Sequence, residues 1–206
     1  MQNHKKVVLL LSGGFDSTVA GYLLQQQGFE IVPLHLSNVD FAGEDTIDKC
    51  KNIAKKFNWK PLYIIDIADF LQLFVDKCEH SYYFVLLKRL MLRLGSIIAK
   101  KTSSEFIATG ESLGQVSSQT LKNISVIEEA TEFRTLKPLI TFDKEQIVQT
   151  AREIGTFDIS AGPEVCDLLG PKHPVTSASL KRVKEEEKKL DYTTLLSNIT
   201  IQELFP

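Results

Sequence analysis

Cysteine is scarce in this chain: Cys50, Cys78 and Cys166 are the only three, odd in number and far apart. That spacing indicates neither a disulfide scaffold nor a CxxC metal knuckle. Long apolar runs are missing too, so no segment is a candidate for crossing a membrane, and the opening Met-Gln-Asn-His-Lys-Lys leads at once into a strand-like run that fits no signal peptide. The cytoplasm is the compartment these absences point to. Nor is there an excess of positive charge. The 24 Lys and Arg against 26 Asp and Glu leave a net charge of -2, which weighs against the chain alone being a strong nucleic-acid binder, although it leaves room for local basic patches. What is present, 43% apolar and 24% charged residues over 206 positions, is the composition of a soluble globular protein, enough for one large domain or one domain with a small appendage.

The most informative stretch is LLLSGGFDSTVAGYLL, residues 9–24. Val7 to Leu11 is an unbroken apolar run, the pattern of a strand buried on both faces. Beyond Ser17, the residues Val19, Ala20, Leu23 and Leu24 recur at helical spacing. A strand, a tight glycine turn and a helix leave the backbone N–H groups of Gly13, Gly14 and the first helical turn unpaired, at the end of the helix where the dipole favours an anion. Ser12 and Ser17 add hydroxyls, and Asp16 either holds Mg2+ or sits at the helix N-terminus. The pattern suits a phosphate site. It is neither GxxxxGK[ST], since the lysine is missing, nor GxGxxG. As SGGxDS directly after a buried strand, it resembles the signature of the PP-loop ATP pyrophosphatases, which split ATP between the α and β phosphates and activate an oxygen as its adenylate.

The alternation continues. Glu30–Leu36 reads as a strand, and Asp45–Phe57 as a helix with Ile47, Cys50, Ile53, Ala54 and Phe57 on one side. Pro61–Asp66 reads as a third strand, Ser81–Lys101 as a long helix and Phe106–Thr109 as a fourth, central strand. The fold class is therefore α/β, a doubly wound parallel sheet of the PP-loop ATP pyrophosphatase type, whose ligands bind beyond the carboxyl ends of the strands. That edge gathers Ser12–Ser17, His35–Ser37 and Gly110–Gln115. The Leu36 backbone is placed to read an adenine edge, and His35 is either a buried structural histidine or a catalytic one. Gly110–Thr120 (GESLGQVSSQT) is a polar series that suits either a flexible ligand-contacting loop or a solvated connection. Lys88, Arg89 and Arg93 fall on a polar, solvated side of the long helix, with contact to a nucleic-acid phosphate or a nucleotide as the alternative. Ser179–Leu190 reads as a surface helix of mixed charge, and Asp191–Phe205 has enough Leu and Ile to pack down.

Five motifs in order, SGGFDS, KRLMLR (88–93), GESLGQVSSQT, PLITFDKEQIVQTAREIGTFDIS (138–160) and PEVC followed by PKHPVT (163–176), closely resemble the PP-loop domain of the tRNA 4-thiouridine synthetase family over nearly the whole chain. The resemblance implies sulfur transfer to uridine 8 of tRNA: ATP adenylates O4 of the base, and sulfur carried by a cysteine displaces AMP. Residue by residue, it implies that Ser12, Gly13, Gly14, Asp16 and Ser17 form the pyrophosphate loop. Gly110 and Gln115 match the nucleotide-side loop, Lys144 the lysine of a DK element, and Cys166 the cysteine that handles sulfur. ATP and Mg2+ are the implied cofactors. Independently of the family, Cys166 sits in a glycine- and proline-bounded stretch near Lys172 and His173, where a reactive thiol can be exposed. Lys144, or Mg2+ on Asp16, would offset charge on the α phosphate or the leaving pyrophosphate. Cys50 and Cys78 read as structural.

Some features depart from the family. Full-length members place RNA-binding modules, including a THUMP domain, before the PP-loop domain, and some add a rhodanese domain after it. The expectation here is one PP-loop domain over 1–206, with 161–206 as its C-terminal loop and helical extension. Lys137 stands where the family usually has Arg, and Cys166 is single where many members have a pair. Three readings follow: a minimal thiouridylase working with a separate THUMP-containing protein or as a homodimer; a sulfurtransferase or adenylating enzyme for a small molecule or carrier protein; or a non-catalytic nucleotide-binding subunit. The sulfur donor is either sulfide or a cysteine-desulfurase persulfide.

Overall fold

The computed structural model describes residues 5–39, 44–114, 116–162 and 169–205. Five parallel strands and one antiparallel strand form a single sheet among these residues. They are β1 (Lys6–Leu10), β2 (Glu30–Ser37), β3 (Leu62–Asp66), β4 (Phe106–Ala108), β5 (Arg134–Leu136) and β6 (Ile201–Leu204). Their order is β5-β4-β1-β2-β3-β6. The pairs β1·β2, β1·β4, β2·β3 and β4·β5 are parallel, whereas β6 runs antiparallel to β3 and closes that edge. The doubly wound sheet expected from the sequence is present, with one edge strand reversed. From β1 the chain builds outward to β2 and β3, then returns to β4 and β5 on the other side. The winding therefore reverses between β1 and β4, and the crevice at such a point is where open α/β sheets bind ligands.

The helices follow the apolar spacing. They are α1 (Phe15–Gln26), α2 (Asp45–Phe57), α3 (Ala68–Lys77), α4 (Tyr83–Thr102), α5 (Leu121–Glu128), α6 (Lys144–Glu153), α7 (Phe157–Ser160), α8 (Leu180–Glu187) and α9 (Tyr192–Ser197). In α2, the buried Cys50, Ile53 and Ala54 carry the expected stripe, with Ile47 and Phe57 packed beside it. Helix α3, with Phe70, Leu71 and Phe74 buried, is an addition to the elements read from the sequence. Alternation along β1 divides the core. Val7 and Leu9 join Val19, Ala20, Ile53, Ile147 and Ala151 on one face of the sheet, while Val8 and Leu10 join Phe74, Leu86, Leu90 and Val183 on the other.

Two expectations about charge are corrected. Arg89 is not on a solvated face of α4: its side chain is 1% exposed and donates to both oxygens of Glu187, at 2.8 and 3.1 Å, to Glu129 at 2.9 Å and to the Val126 carbonyl. Arg93 also pairs with Glu187, at 2.6 and 3.1 Å. The flank of α4 that carries these arginines is covered by α5 and α8, and burial of the guanidinium is tolerated because carboxylates meet its donors. The surface reading of residues 179–190 holds for only one side of α8. Ser179 caps it by accepting from Arg182 N, and Lys181, Arg182 and Lys184 are exposed, but Val183, Glu186 and Glu187 are buried. The last segment packs down as expected, supplying α9 and β6.

Candidate active site

The glycine turn between β1 and α1 is held in shape by its own hydroxyls. Ser12 N donates to Ser17 Oγ at 3.1 Å, the two serine hydroxyls lie 3.0 Å apart, and Gly14 N donates to Ser12 Oγ at 3.3 Å. Ser17 Oγ and Thr18 Oγ1 both donate to the Gly14 carbonyl, at 3.3 and 2.8 Å. Gly13 has φ +85°, a conformation that L side chains rarely adopt, and a Cβ there would lie 3.1 Å from Lys49 Cβ on α2. The serines are thus occupied in shaping the turn. The amides of Gly13, Phe15, Asp16 and Ser17 have no hydrogen-bond partner among the described residues, and no side chain caps α1. Free amides at the N-terminus of a helix this long form an anion cradle.

Two further elements converge on this cradle. Lys144 opens α6 behind the capping box of Asp143 and Gln146, and its Nζ lies 3.5 Å from Asp16 Oδ1, with the two side chains 53% and 27% exposed. Gly110, just beyond β4, is pressed against the loop so closely that a Cβ would fall 2.6 Å from Asp16 C and Ser17 N. Ser12, Gly13, Gly14, Asp16, Ser17, Gly110 and Lys144 therefore meet at the switch point. Leu36 lies at the carboxyl end of β2, on the same edge of the sheet. Gln115 and Cys166 lie outside the described residues.

A profile of the family described as ThiI, thiamine biosynthesis protein, matches residues 2–192. The chain belongs to this family. Among its relatives, a probable tRNA sulfurtransferase of Moorella thermoacetica is 37% identical over 92% of this chain and 50% of its own. One of Halothermothrix orenii is 40% identical over 90% of this chain and 48% of its own. The chain thus spans about half the length of the curated relatives it matches. A solved 4-thiouridine synthetase in complex with RNA, with bound ATP, superposes with a TM-score of 0.89 at 30% identity, over 97% of this chain and 55% of that one. The U34-tRNA thiolase NcsA from Methanococcus maripaludis, at 19% identity and a TM-score of 0.56, shares the fold.

Around the cradle, this ThiI-family chain places groups that the sequence left open. His35 is 3% exposed, with Nδ1 2.9 Å from the Leu11 carbonyl and 3.3 Å from Cys50 Sγ. Burial lowers its pKa, against the Leu11 hydrogen bond that raises it, so it stays neutral and braces the end of β1. Burial pushes the Cys50 thiol far up, which makes it inert, and Cys78 is pushed up to about 11 by burial and the charge of Glu186. Within the 110–120 stretch, Glu111, Ser112, Ser118 and Gln119 are buried rather than solvated. Glu111, 4% exposed, accepts from Thr109 Oγ1 at 3.2 Å and lies 3.4 Å from Lys88 Nζ and 3.8 Å from Lys137 Nζ. This charged cluster directly behind Gly110 escaped sequence reasoning, because its members come from α4, the end of β4 and the end of β5. The single hint was two lysines and a glutamate within otherwise apolar or polar motifs. Among the described residues no three His, Cys, Asp or Glu side chains gather as a metal cluster, and no helix is long and apolar enough to cross a membrane.

Proposed function

We propose that the chain carries the ATP-dependent chemistry of a tRNA sulfurtransferase, converting uridine 8 to 4-thiouridine. The observation that carries this reading is the convergence at the switch point of a loop with unpaired amides, the Asp16 and Lys144 pair, and the Gly110 backbone. In the reaction, uridine O4 attacks the α phosphorus of ATP and pyrophosphate leaves. A sulfur nucleophile then adds at C4 and the C4–O bond breaks, releasing AMP. The amides of Gly13, Phe15, Asp16 and Ser17 and the α1 dipole hold the phosphates, and the Lys144 ammonium offsets charge on the α phosphate or the departing pyrophosphate. Backbone groups at Leu36 and the Gly110 and Gln115 loop hold the nucleoside.

Asp16 fits Mg2+. One partly exposed carboxylate beside a phosphate cradle is a sufficient protein share, because Mg2+ is commonly held by one or two carboxylates plus phosphate oxygens and water. When bound, Mg2+ would supply charge neutralisation on the phosphates. We assign sulfur handling to Cys166, whose thiolate takes the outer sulfur of a cysteine-desulfurase persulfide and releases the desulfurase thiol; sulfide, the alternative donor, attacks C4 directly without passing through Cys166. With a net charge of -2, the chain draws further RNA affinity from a THUMP-containing partner or from a second copy. Residues 1–206 act as one PP-loop unit, with 161–206 as its extension.

The test is release of AMP and pyrophosphate from labelled ATP, with and without unmodified tRNA, using sulfide as donor and mass spectrometry of digested tRNA for 4-thiouridine. Thiouridine made by this chain supports the reading. Neither tRNA-stimulated cleavage nor thiolation, with or without a THUMP-containing partner, would sink it.

A further inference from the structure

Leu113, Val116 and Leu121 are the exposed large hydrophobic side chains among the described residues, at 47%, 54% and 72% exposure. Leu113 and Val116 lie in the loop that leaves the site at Gly110, and Leu121 opens α5, into which that loop runs. Single exposed apolar residues need no explanation, but three grouped beside a ligand site do. The loop closes on itself, since Gly114 N donates to the Gln119 carbonyl at 3.1 Å and Gln119 N to the Val116 carbonyl at 2.9 Å. Gly114 and Gln119 are thereby drawn together, so that one short turn of chain carries the apolar ridge of Leu113, Val116 and Leu121. Within the same loop, Ser112 Oγ and Gln119 Oε1 are buried without a hydrogen-bond partner among the described residues, a state that native proteins usually resolve with water or ligand.

The ridge lies in a stretch of sequence without carboxylates. Residues 112–127 contain no Asp or Glu, nor do residues 169–184, in a chain that has 26 acidic residues. These two stretches are sewn together. Thr120 Oγ1 donates to the Thr176 carbonyl at 2.8 Å, Lys122 Nζ to Ser177 Oγ at 3.1 Å, and Asn123 Nδ2 to the Val175 carbonyl at 2.8 Å. Asn123 Oδ1 in turn accepts from Ala178 N at 2.8 Å. Arg182 and Lys184 are spent on Glu79, Glu185, Glu186 and Glu129. Lys122, Lys172 and Lys181 are exposed, with no carboxylate partner among the described residues.

We propose that this surface holds the acceptor RNA in an unstacked, single-stranded form, with Leu113, Val116 and Leu121 against its bases and Lys122, Lys172 and Lys181 on the flanking phosphates. The inference rests on the tRNA-thiolating reading above. An enzyme that works on a base has to take it out of the stack, and apolar side chains set against the exposed faces offset the lost stacking. Unpaired cations without carboxylates complement a polyanion. A twofold contact of the same surface with a second copy would instead set lysine against lysine.

The experiment compares wild type with the Leu113→Ser, Val116→Ser, Leu121→Ser triple variant. It reads anisotropy of labelled unmodified tRNA and of a single-stranded uridine oligonucleotide, binding of labelled ATP, and sedimentation. The expected result is roughly ten-fold or greater loss of affinity for both RNAs, with ATP binding and sedimentation unchanged. Lys122→Gln should reduce the slope of log affinity against log salt by about 0.7 to 0.9. RNA affinity equal to wild type in the triple variant overturns the surface assignment and leaves the thiolation reading standing. A wild-type protein that binds neither RNA, with or without a THUMP-containing partner, overturns both. Lost self-association at unchanged RNA affinity would make the ridge a contact between copies, which also overturns the proposal.

Discussion

Adding one methyl group at Gly110 should separate what the site needs from what the fold needs. An alanine Cβ there would lie 2.6 Å from Asp16 C and Ser17 N and 2.8 Å from Asp16 O, whereas ordinary contact begins at 3.4 Å, so about 0.8 Å has to be found. The neighbours are backbone atoms, so no side chain can rotate away, and the displacement falls on the Ser12–Ser17 loop proposed to cradle phosphate or on the end of β4. Overpacking of this kind costs about 1 to 3 kcal/mol of stability. A shift near 1 Å in a catalytic loop costs on the order of 100-fold in turnover. Gly28→Ala is the control: its φ is +87° with nothing within 4 Å of a Cβ, so it should cost about 1 to 2 kcal/mol through backbone strain alone. Urea unfolding and pyrophosphate release would be measured on both variants. Gly110→Ala should lose turnover far beyond Gly28→Ala at comparable stability. Equal turnover in the two variants would refute the claim that Gly110 keeps the phosphate loop in place.

Asp16→Ala removes the carboxylate that faces Lys144 and should lower ATP turnover by about 100- to 1000-fold with little change in unfolding, read by pyrophosphate release. With a persulfide donor, Cys166→Ser should spare adenylation, read as single-turnover pyrophosphate release with tRNA, while abolishing 4-thiouridine; wild-type thiolation by that variant would remove Cys166 from the mechanism. Arg89→Ala leaves the buried Glu187 short of a partner and should cost about 3 to 5 kcal/mol in urea unfolding. Burial works against ionised Glu187, but Arg89 and Arg93 outweigh it and hold the carboxyl below its ordinary 4.5. A carboxyl depressed in the folded state stabilises fully above its unfolded value and loses that contribution as pH falls through the folded value. The stability gap between wild type and Arg89→Ala should therefore narrow below about pH 4.5, and a constant gap down to acid unfolding would contradict the assignment.

Much of the architecture was legible because its signals are local. An unbroken aliphatic run such as Val7–Leu11 leaves the chain no better state than a strand covered on both sides, and Ile47, Cys50, Ile53, Ala54 and Phe57 return to one side every three or four residues. The Ser12–Ser17 turn was equally legible, since two glycines between a buried strand and a helix leave amides free regardless of what surrounds them. Lys144 became a candidate only through the family likeness, as its own neighbourhood is an ordinary helix start.

Tertiary structure alone decided the fate of the charges and the sense of the last strand. In isolation Arg89 is a charge on a helix, for which solvent is the default. What reverses this is Glu187, which lies 98 positions later and makes burial bearable. The same holds for Glu111 with Lys88 and Lys137, and for Asp16 with Lys144, 128 positions apart. Nothing in the pattern of Ile201–Leu204 states that it runs against β3, because pairing direction depends on where the chain arrives. The sequence by itself determined which segments must be buried and where backbone amides go unpaired, since those follow from neighbours a few residues away. Which distant partner meets each buried charge, and hence where the reactive groups converge, waited on the packed molecule, because an ion pair gains its energy only once both partners have left water together.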